Sequence, residues 1–182
     1  MAHSPVLIGT RGSALAVTQT TTVANTLAEL GGFDVDLVRV RTEGDVNRAA
    51  LSQIGGTGVF VAALRESLLA GDCDVAVHSL KDLPTAAAEG LIIGAIPARV
   101  DVRDALCARD SLTLAQLPAG SKIGTGSPRR AAQLRAARPD LEIIDIRGNV
   151  APRLGRVAGL VEGAPGDLDA VVLAAAGLSR LG

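Results

Sequence analysis

Aromatic side chains are almost missing from this chain: its 182 residues include two Phe and no Trp or Tyr. The core must therefore be assembled from Ala, Val, Leu and Ile, and the stacking platforms that hold single-stranded nucleic acids are not available. Lysine is nearly as scarce, with Lys81 and Lys122 set against a large excess of Arg. GC-rich coding accounts for that ratio as a whole, so each Arg has to be judged by its own setting. Two cysteines, Cys73 and Cys107, and two histidines form no zinc-ligand spacing, which leaves buried structural thiols as the reading. No apolar run approaches the length of a membrane span, and the first residues carry neither a basic and apolar leader nor a twin-Arg signal. A cytoplasmic, reduced protein with no nucleic-acid or membrane partner is expected.

What is present is a globular composition, 48% hydrophobic and 20% charged. Net charge is only −1, but it is unevenly spread. Residues 1–97 carry 6 basic and 10 acidic side chains, whereas residues 98–182 carry 12 basic and 9 acidic. The second half is thus the expected holder of an anionic ligand.

Val6-Leu7-Ile8 reads as a strand and Gly9-Thr10-Arg11-Gly12 as the turn after it, with Ser13 capping a helix to about Leu30. Val35 to Val40 alternates as a second strand. A polar, Gly-rich segment from Thr42 to Gly58 follows, then a helix from Phe60 to Ala70 and a strand from Asp74 to Val77. Leu91 to Ile96 reads as another strand, and Pro97-Ala98-Arg99 as the boundary between two domains, 1–97 and 98–182. Past it, Asp104 to Ala108 is expected as a strand and Leu114 to Leu117 as a helical turn. Then the chain repeats itself: Ile123-Gly124-Thr125-Gly126-Ser127 echoes Ile8-Gly9-Thr10-Arg11-Gly12-Ser13, with Pro128 in the first helical position behind its cap. A helix to about Ala137, a strand Leu141 to Ile146, a helical stretch through Leu154, Val157 and Leu160, and a strand Ala170 to Leu173 complete the pattern. Strand and helix alternate throughout, so the expected fold is α/β: two similar lobes with mainly parallel sheets and a ligand cleft between them.

The residues that carry chemistry cluster after predicted strands. His78-Ser79-Leu80-Lys81-Asp82-Leu83-Pro84 sets a cation beside a carboxylate just past a strand end, where open α/β sheets keep ligands. Pro84 makes the stretch a constrained turn. A solvated Lys-Asp pair is the bland alternative, and His78 alone reads as packing. The two Gly-Thr…Ser turns offer backbone N–H groups, hydroxyls and helix N-termini, yet match neither a P-loop nor a dinucleotide fingerprint. Arg129 and Arg130 stand in a first helical turn, where the helix dipole disfavours cations unless an anion lies in front. Arg147 and Arg153 flank Gly148-Asn149 at the mouth of the next strand. Arg135, Arg138 and Arg156 read as solvated surface. On the residues alone, an enzyme and a binding module closing on a small carboxylated ligand both stand.

Taken in order, HSLKDLP, the Ile8 to Ser13 turn, Gly124 to Arg130, Arg147-Gly148-Asn149 and Leu173 to Gly182 resemble the porphobilinogen deaminase (hydroxymethylbilane synthase) family over essentially the whole chain. The resemblance implies lobes like those of type II periplasmic binding proteins. It also implies a monomer that condenses four porphobilinogen units with loss of ammonia to give hydroxymethylbilane, in haem biosynthesis. Asp82 matches the family's catalytic aspartate, which binds pyrrole N–H groups and stabilises the cationic azafulvene. Arg11, Ser13, Ser79, Lys81, Thr125, Ser127, Arg129, Arg130, Arg147, Arg153 and Arg180 match positions that hold the carboxylates of the dipyrromethane cofactor and the growing pyrrole chain. Thr42 to Gly58 matches a mobile lid. Three positions depart from the family: Thr57 stands where many relatives have Lys, Gly126 where many have Ser, and Pro152 where Thr is common. The third domain, whose Cys carries dipyrromethane, is expected to be absent, since neither Cys73 nor Cys107 matches that Cys. The expectation is therefore a chain without turnover, with apolar surface exposed where the segment completing the first lobe is missing.

Overall fold

The computed structural model describes residues 4–40 and 61–182, so the Thr42–Gly58 segment, Thr57 and Phe60 lie outside the described residues. The chain divides into two compact units, one reaching to Ala98 and one spanning Arg99–Arg180. Among the described residues no helix is long and apolar enough to cross a membrane.

In the first unit β1 (Val6–Arg11) is the central strand of a parallel sheet ordered β2-β1-β3, with β2 at Val35–Val40 and β3 at Val75–Ala76. The expected turn at Gly9-Thr10-Arg11 is instead strand: Gly9, Thr10 and Arg11 pair with Val38, Arg39 and Val40. Burial is the reason. Thr10 is fully buried, where an unladdered backbone would leave its polar groups unsatisfied, and its hydroxyl accepts that of Thr20 at 2.7 Å. Helix α1 (Ala14–Gly31) starts on the Ser13 cap and stops at Gly32 in the left-handed conformation, and α2 (Ala62–Ala70) leads into β3. β3 is shorter than expected, but Asp74 N–H to Leu7 O (2.8 Å) and Val77 N–H to Gly9 O (3.1 Å) extend its ladder at both ends.

Leu91 to Ile96 forms no strand. Ile92, Ile93 and Ile96 are 93%, 63% and 66% exposed. The composition suits a strand, but strand preference is realised only by pairing, and no described strand pairs with this segment.

The second unit holds β4 (Asp104–Ala108), β5 (Lys122–Gly124), β6 (Glu142–Ile144) and β7 (Ala170–Ala174) in the order β4-β7-β5-β6. Its three parallel strands repeat the first unit, β6-β5-β7 matching β2-β1-β3, while β4 adds an antiparallel edge. Both faces of β7 are buried. Ala170 and Val172 pack with Ala108, Leu117, Ile123 and Leu141, whereas Val171 and Leu173 pack with Ile146, Val157 and Leu168. Such doubly covered strands are read as unbroken apolar runs, and each large side chain buried contributes about 1.5–3 kcal/mol. Helix α3 is Pro128–Ala137 and α5 is Ala175–Leu181. The helical stretch expected through Leu160 is only α4 (Val150–Leu154); beyond it Val157 bridges to Leu168, since burying Val157 in the core takes the chain out of the helix.

The two Gly-Thr strand ends are equivalent in packing as well as in topology. A Cβ on Gly9 would come within 2.8 Å of Cys73 Sγ, and one on Gly124 within 2.7 Å of both Ile146 Cδ1 and Leu168 Cδ1. Each glycine lets its central strand press against the layer covering it.

Candidate functional site

Every candidate residue lies at or beyond the C-terminal end of a parallel strand, in one unit or the other. In the first unit β1 delivers Arg11 and Ser13. Ser13 Oγ accepts the Ala16 N–H at 3.3 Å as an N-cap, which leaves its own hydrogen available to a ligand. From β3 the chain runs extended through His78 and Ser79 into a 3-10 turn, Leu80–Asp82, closed by Asp82 N–H to Ser79 O at 2.9 Å and Leu83 N–H to Leu80 O at 3.2 Å. The Ser79 hydroxyl donates to Gln19 Oε1 of α1 at 3.1 Å, so Ser79 can offer a ligand only an acceptor. Gln19 is a residue the sequence reading missed, although a polar side chain four residues from both Leu15 and Val23, within the apolar row of α1, was a signal for it.

Lys81 is exposed and Asp82 half-buried, and neither side chain makes a hydrogen bond or ion pair among the described residues. Neighbours on a 3-10 turn project about 120° apart, which keeps the two from neutralising each other. The bland reading of Asp82 as a counter-ion to Lys81 is not supported. His78 is held below its ordinary pKa mainly by burial. The Asp82 carboxylate acts in the opposite sense, and the charges of Arg11 and Arg65 add to the lowering.

In the second unit Thr125 is buried and accepts the Ser127 N–H at 3.2 Å, while Ser127 Oγ caps α3 by accepting the Arg130 N–H at 3.4 Å. Arg129 is exposed. Arg130 forks onto Asp104, Nε at 2.9 Å and Nη2 at 2.5 Å, so this arginine already holds one carboxylate. Arg147, past β6, has its Nη1 buried with no hydrogen-bond partner among the described residues. Arg153 donates from Nε to Gly148 O at 2.7 Å. Its pKa is lowered by burial first and then by the charges of Arg130 and Arg147, with Asp145 partly offsetting them. Arg180, near the end of α5, is half-buried and without a partner among the described residues. The structure thus groups Arg130, Arg147 and Arg153, and leaves Arg129 outside the charges that act on Arg153. Gly126 sits in this group's turn, where a Cβ would meet Ile146 O at 2.5 Å and Arg153 Nη2 at 3.8 Å.

Arg138 and Arg156, expected as solvated surface, are structural. Arg138 forks onto Asp140 and donates to Leu114 O at 2.6 Å and Leu117 O at 2.9 Å, pinning the turn before β5. Arg156 holds Asp167, Nε at 2.9 Å. Arg135 is exposed as read. Cys73 is buried against Ser67 Oγ at 3.7 Å, and the half-buried Cys107 thiol has its pKa pushed up by burial.

A buried, unpartnered guanidinium nitrogen costs on the order of 1–3 kcal/mol unless an acceptor arrives. With the charges of Arg130 and Arg147 both acting on Arg153, and the Thr125 and Ser127 hydroxyl groups in the same turn, it fits the carboxylate groups of a dipyrromethane. Such a set of donors and cations at strand ends suits carboxylate groups, on an α/β protein of repeated design. The family model described as "Porphobilinogen deaminase, dipyromethane cofactor binding domain" matches residues 6–182. The porphobilinogen deaminase of Leifsonia xyli subsp. xyli is 62% identical over 175 residues, covering 96% of this chain and 51% of the relative. That of Micrococcus luteus is 61% identical over 189 residues, covering 98% and 50%, and that of Mycobacterium tuberculosis 54% over 177 residues, covering 97% and 55%. The chain belongs to the porphobilinogen deaminase family, and it spans about half the length of the curated relatives it matches.

Proposed function

We propose that this chain supplies the ligand-holding and catalytic-carboxylate part of a porphobilinogen deaminase. The reaction condenses four porphobilinogen units head to tail, releasing ammonia at each step and ending in hydroxymethylbilane. The observation that carries the reading is the half-buried Asp82 carboxylate, which has no hydrogen bond or ion pair among the described residues and stands beside a His78 that burial keeps neutral. An unpaired carboxylate there can accept a pyrrole N–H and stabilise the cation that develops on the substrate as its amino group departs. Because His78 stays neutral, that charge is not cancelled in advance. At about 4 Å and an effective dielectric near 20 the attraction is about 4 kcal/mol.

Arg147, Arg153, Thr125 and Ser127 are the residues we assign to the carboxylates of the dipyrromethane, with Ser13, Lys81, Arg11, Arg129 and Arg180 as further anion contacts. When bound, that group supplies the pyrrole carbon to which the first substrate is joined. Arg130 is assigned a share in this binding through its field, its fork being occupied by Asp104. Neither thiol of this chain suits covalent attachment: Cys73 is buried, and in Cys107 burial disfavours the thiolate. We place the protein in the cytoplasm, acting as a monomer.

The test joins this chain to the remaining length of the Leifsonia xyli relative and follows ammonia release from porphobilinogen. Asp82→Asn is expected to keep the fold and lose on the order of 10²–10³ in rate. Turnover close to the parent would refute the role given to Asp82, and ligand binding without any ammonia release by the parent would favour a binding module.

A further inference from the structure

Several arginines among the described residues are already paired. Arg103, Arg109, Arg130, Arg138 and Arg156 each hold an aspartate. Arg65 is half-buried yet makes no hydrogen bond or ion pair through its side chain among the described residues, a condition it shares with Asp82 and Arg180.

Its place in the fold gives that condition a meaning. α2 ends at Ala70 and the chain turns through Gly71–Asp74 into β3; Ser67 lies against Cys73 and Leu64 against Gly9, the partner of Ala76, so the helix runs antiparallel to the strand and its N-terminus lies at the strand's C-terminal end. Arg65 is the fourth residue of α2, following Leu64, which is fully buried within reach of Gly9 in β1. A helical side chain leans toward the N-terminus of its helix, so Arg65 leans toward the end of β3, where His78 to Asp82 begin. Val61, at the N-cap, offers no side-chain acceptor there. A cation in that first turn is opposed by the helix dipole unless an anion faces it. The charge of Arg65 acts on His78 together with those of Asp82 and Arg11, as this placement requires.

We propose that Arg65 is a further anion-binding residue, taking a carboxylate of the pyrrole ligand whose ring N–H is held by Asp82. The inference rests on the functional reading above. An arginine fork matches a carboxylate in two parallel hydrogen bonds, which Lys81, a point charge, cannot supply. Arg65 would thereby fix which way round the two acidic arms of the ring are seated.

The experiment uses the 182-residue chain, porphobilinogen as probe, and calorimetric titration of the parent, Arg65→Gln and Arg65→Lys. Gln and Lys are good helix formers, so α2 should persist, as circular dichroism will show. Arg65→Gln is expected to weaken binding about 10-fold or more, and Arg65→Lys less, since it keeps the charge but not the fork. In the same Arg65→Gln sample the His78 ring, followed by NMR, is expected to protonate at a higher pH than in the parent. A parent that does not bind porphobilinogen would overturn the functional reading and this inference with it. A parent that binds, with equal affinity in Arg65→Gln, would overturn this inference alone. Weakened binding with an unmoved His78 titration would also overturn it, because Arg65 would then act from elsewhere.

Discussion

Replacing Gln19 with Ala removes the acceptor of the Ser79 hydroxyl, the hydrogen bond that ties the Asp82 turn to α1. The lost bond is 3.1 Å long and part-buried, so its net contribution is about 1 kcal/mol. That corresponds to roughly a 5-fold shift in the equilibrium between closed and open turn. The turn is held by two backbone bonds, Asp82 N–H to Ser79 O and Leu83 N–H to Leu80 O, so the loss should appear as faster amide hydrogen exchange at these two positions. Ser79→Ala should speed exchange by a similar factor, and the double variant by little more than either single one, because both remove the same bond. Gln19→Glu keeps an acceptor and should restore most of the protection. Unchanged exchange at Asp82 in Gln19→Ala, with the parent's thermal stability, would refute the claim that α1 holds this turn. So would strict additivity in the double variant.

Two further outcomes follow from the packing and the charges. With its folded pKa below 6.5, His78 contributes stability that is fully present above pH 6.5 and is lost as pH falls toward the folded value, because the unfolded chain binds the proton more readily. Urea midpoints should therefore decline below pH 6.5 in the parent and decline less in His78→Gln; the same slope in both would contradict it. Gly126→Ser places a Cβ 2.5 Å from Ile146 O, a backbone atom that cannot swing aside, and should cost about 1–3 kcal/mol by urea denaturation. An unchanged midpoint would mean that the turn is free to relax.

Much of the arrangement was legible because it obeys local rules. Ser13 and Ser127 cap their helices at the expected positions, and the Gly-Thr echo marked two strands with the same neighbours. The unread parts are non-local. Leu91 to Ile96 has the composition of a strand, but whether it becomes one depends on a partner, which its own residues do not encode. Gln19 and Ser79 meet across 60 positions, and Arg130 and Asp104 across 26, so neither pair has a signature in spacing. Arg138 looked like any helix-end arginine until its contacts with the carbonyls of Leu114 and Leu117 were seen.

Whether these strand ends are built to receive carboxylates is decided at Arg147. Its Nη1 is buried and unpartnered among the described residues, so Arg147→Gln should leave thermal stability unchanged or raise it. The same variant should weaken porphobilinogen binding to the 182-residue chain about 10- to 100-fold, the range of a lost charge-assisted fork. Binding measured by calorimetry alongside the melting temperature gives both numbers on one sample. Weaker binding at equal or higher stability is the result expected here. Full binding, or a large loss of stability, would contradict the account, because Arg147 would then be serving the fold and not the ligand.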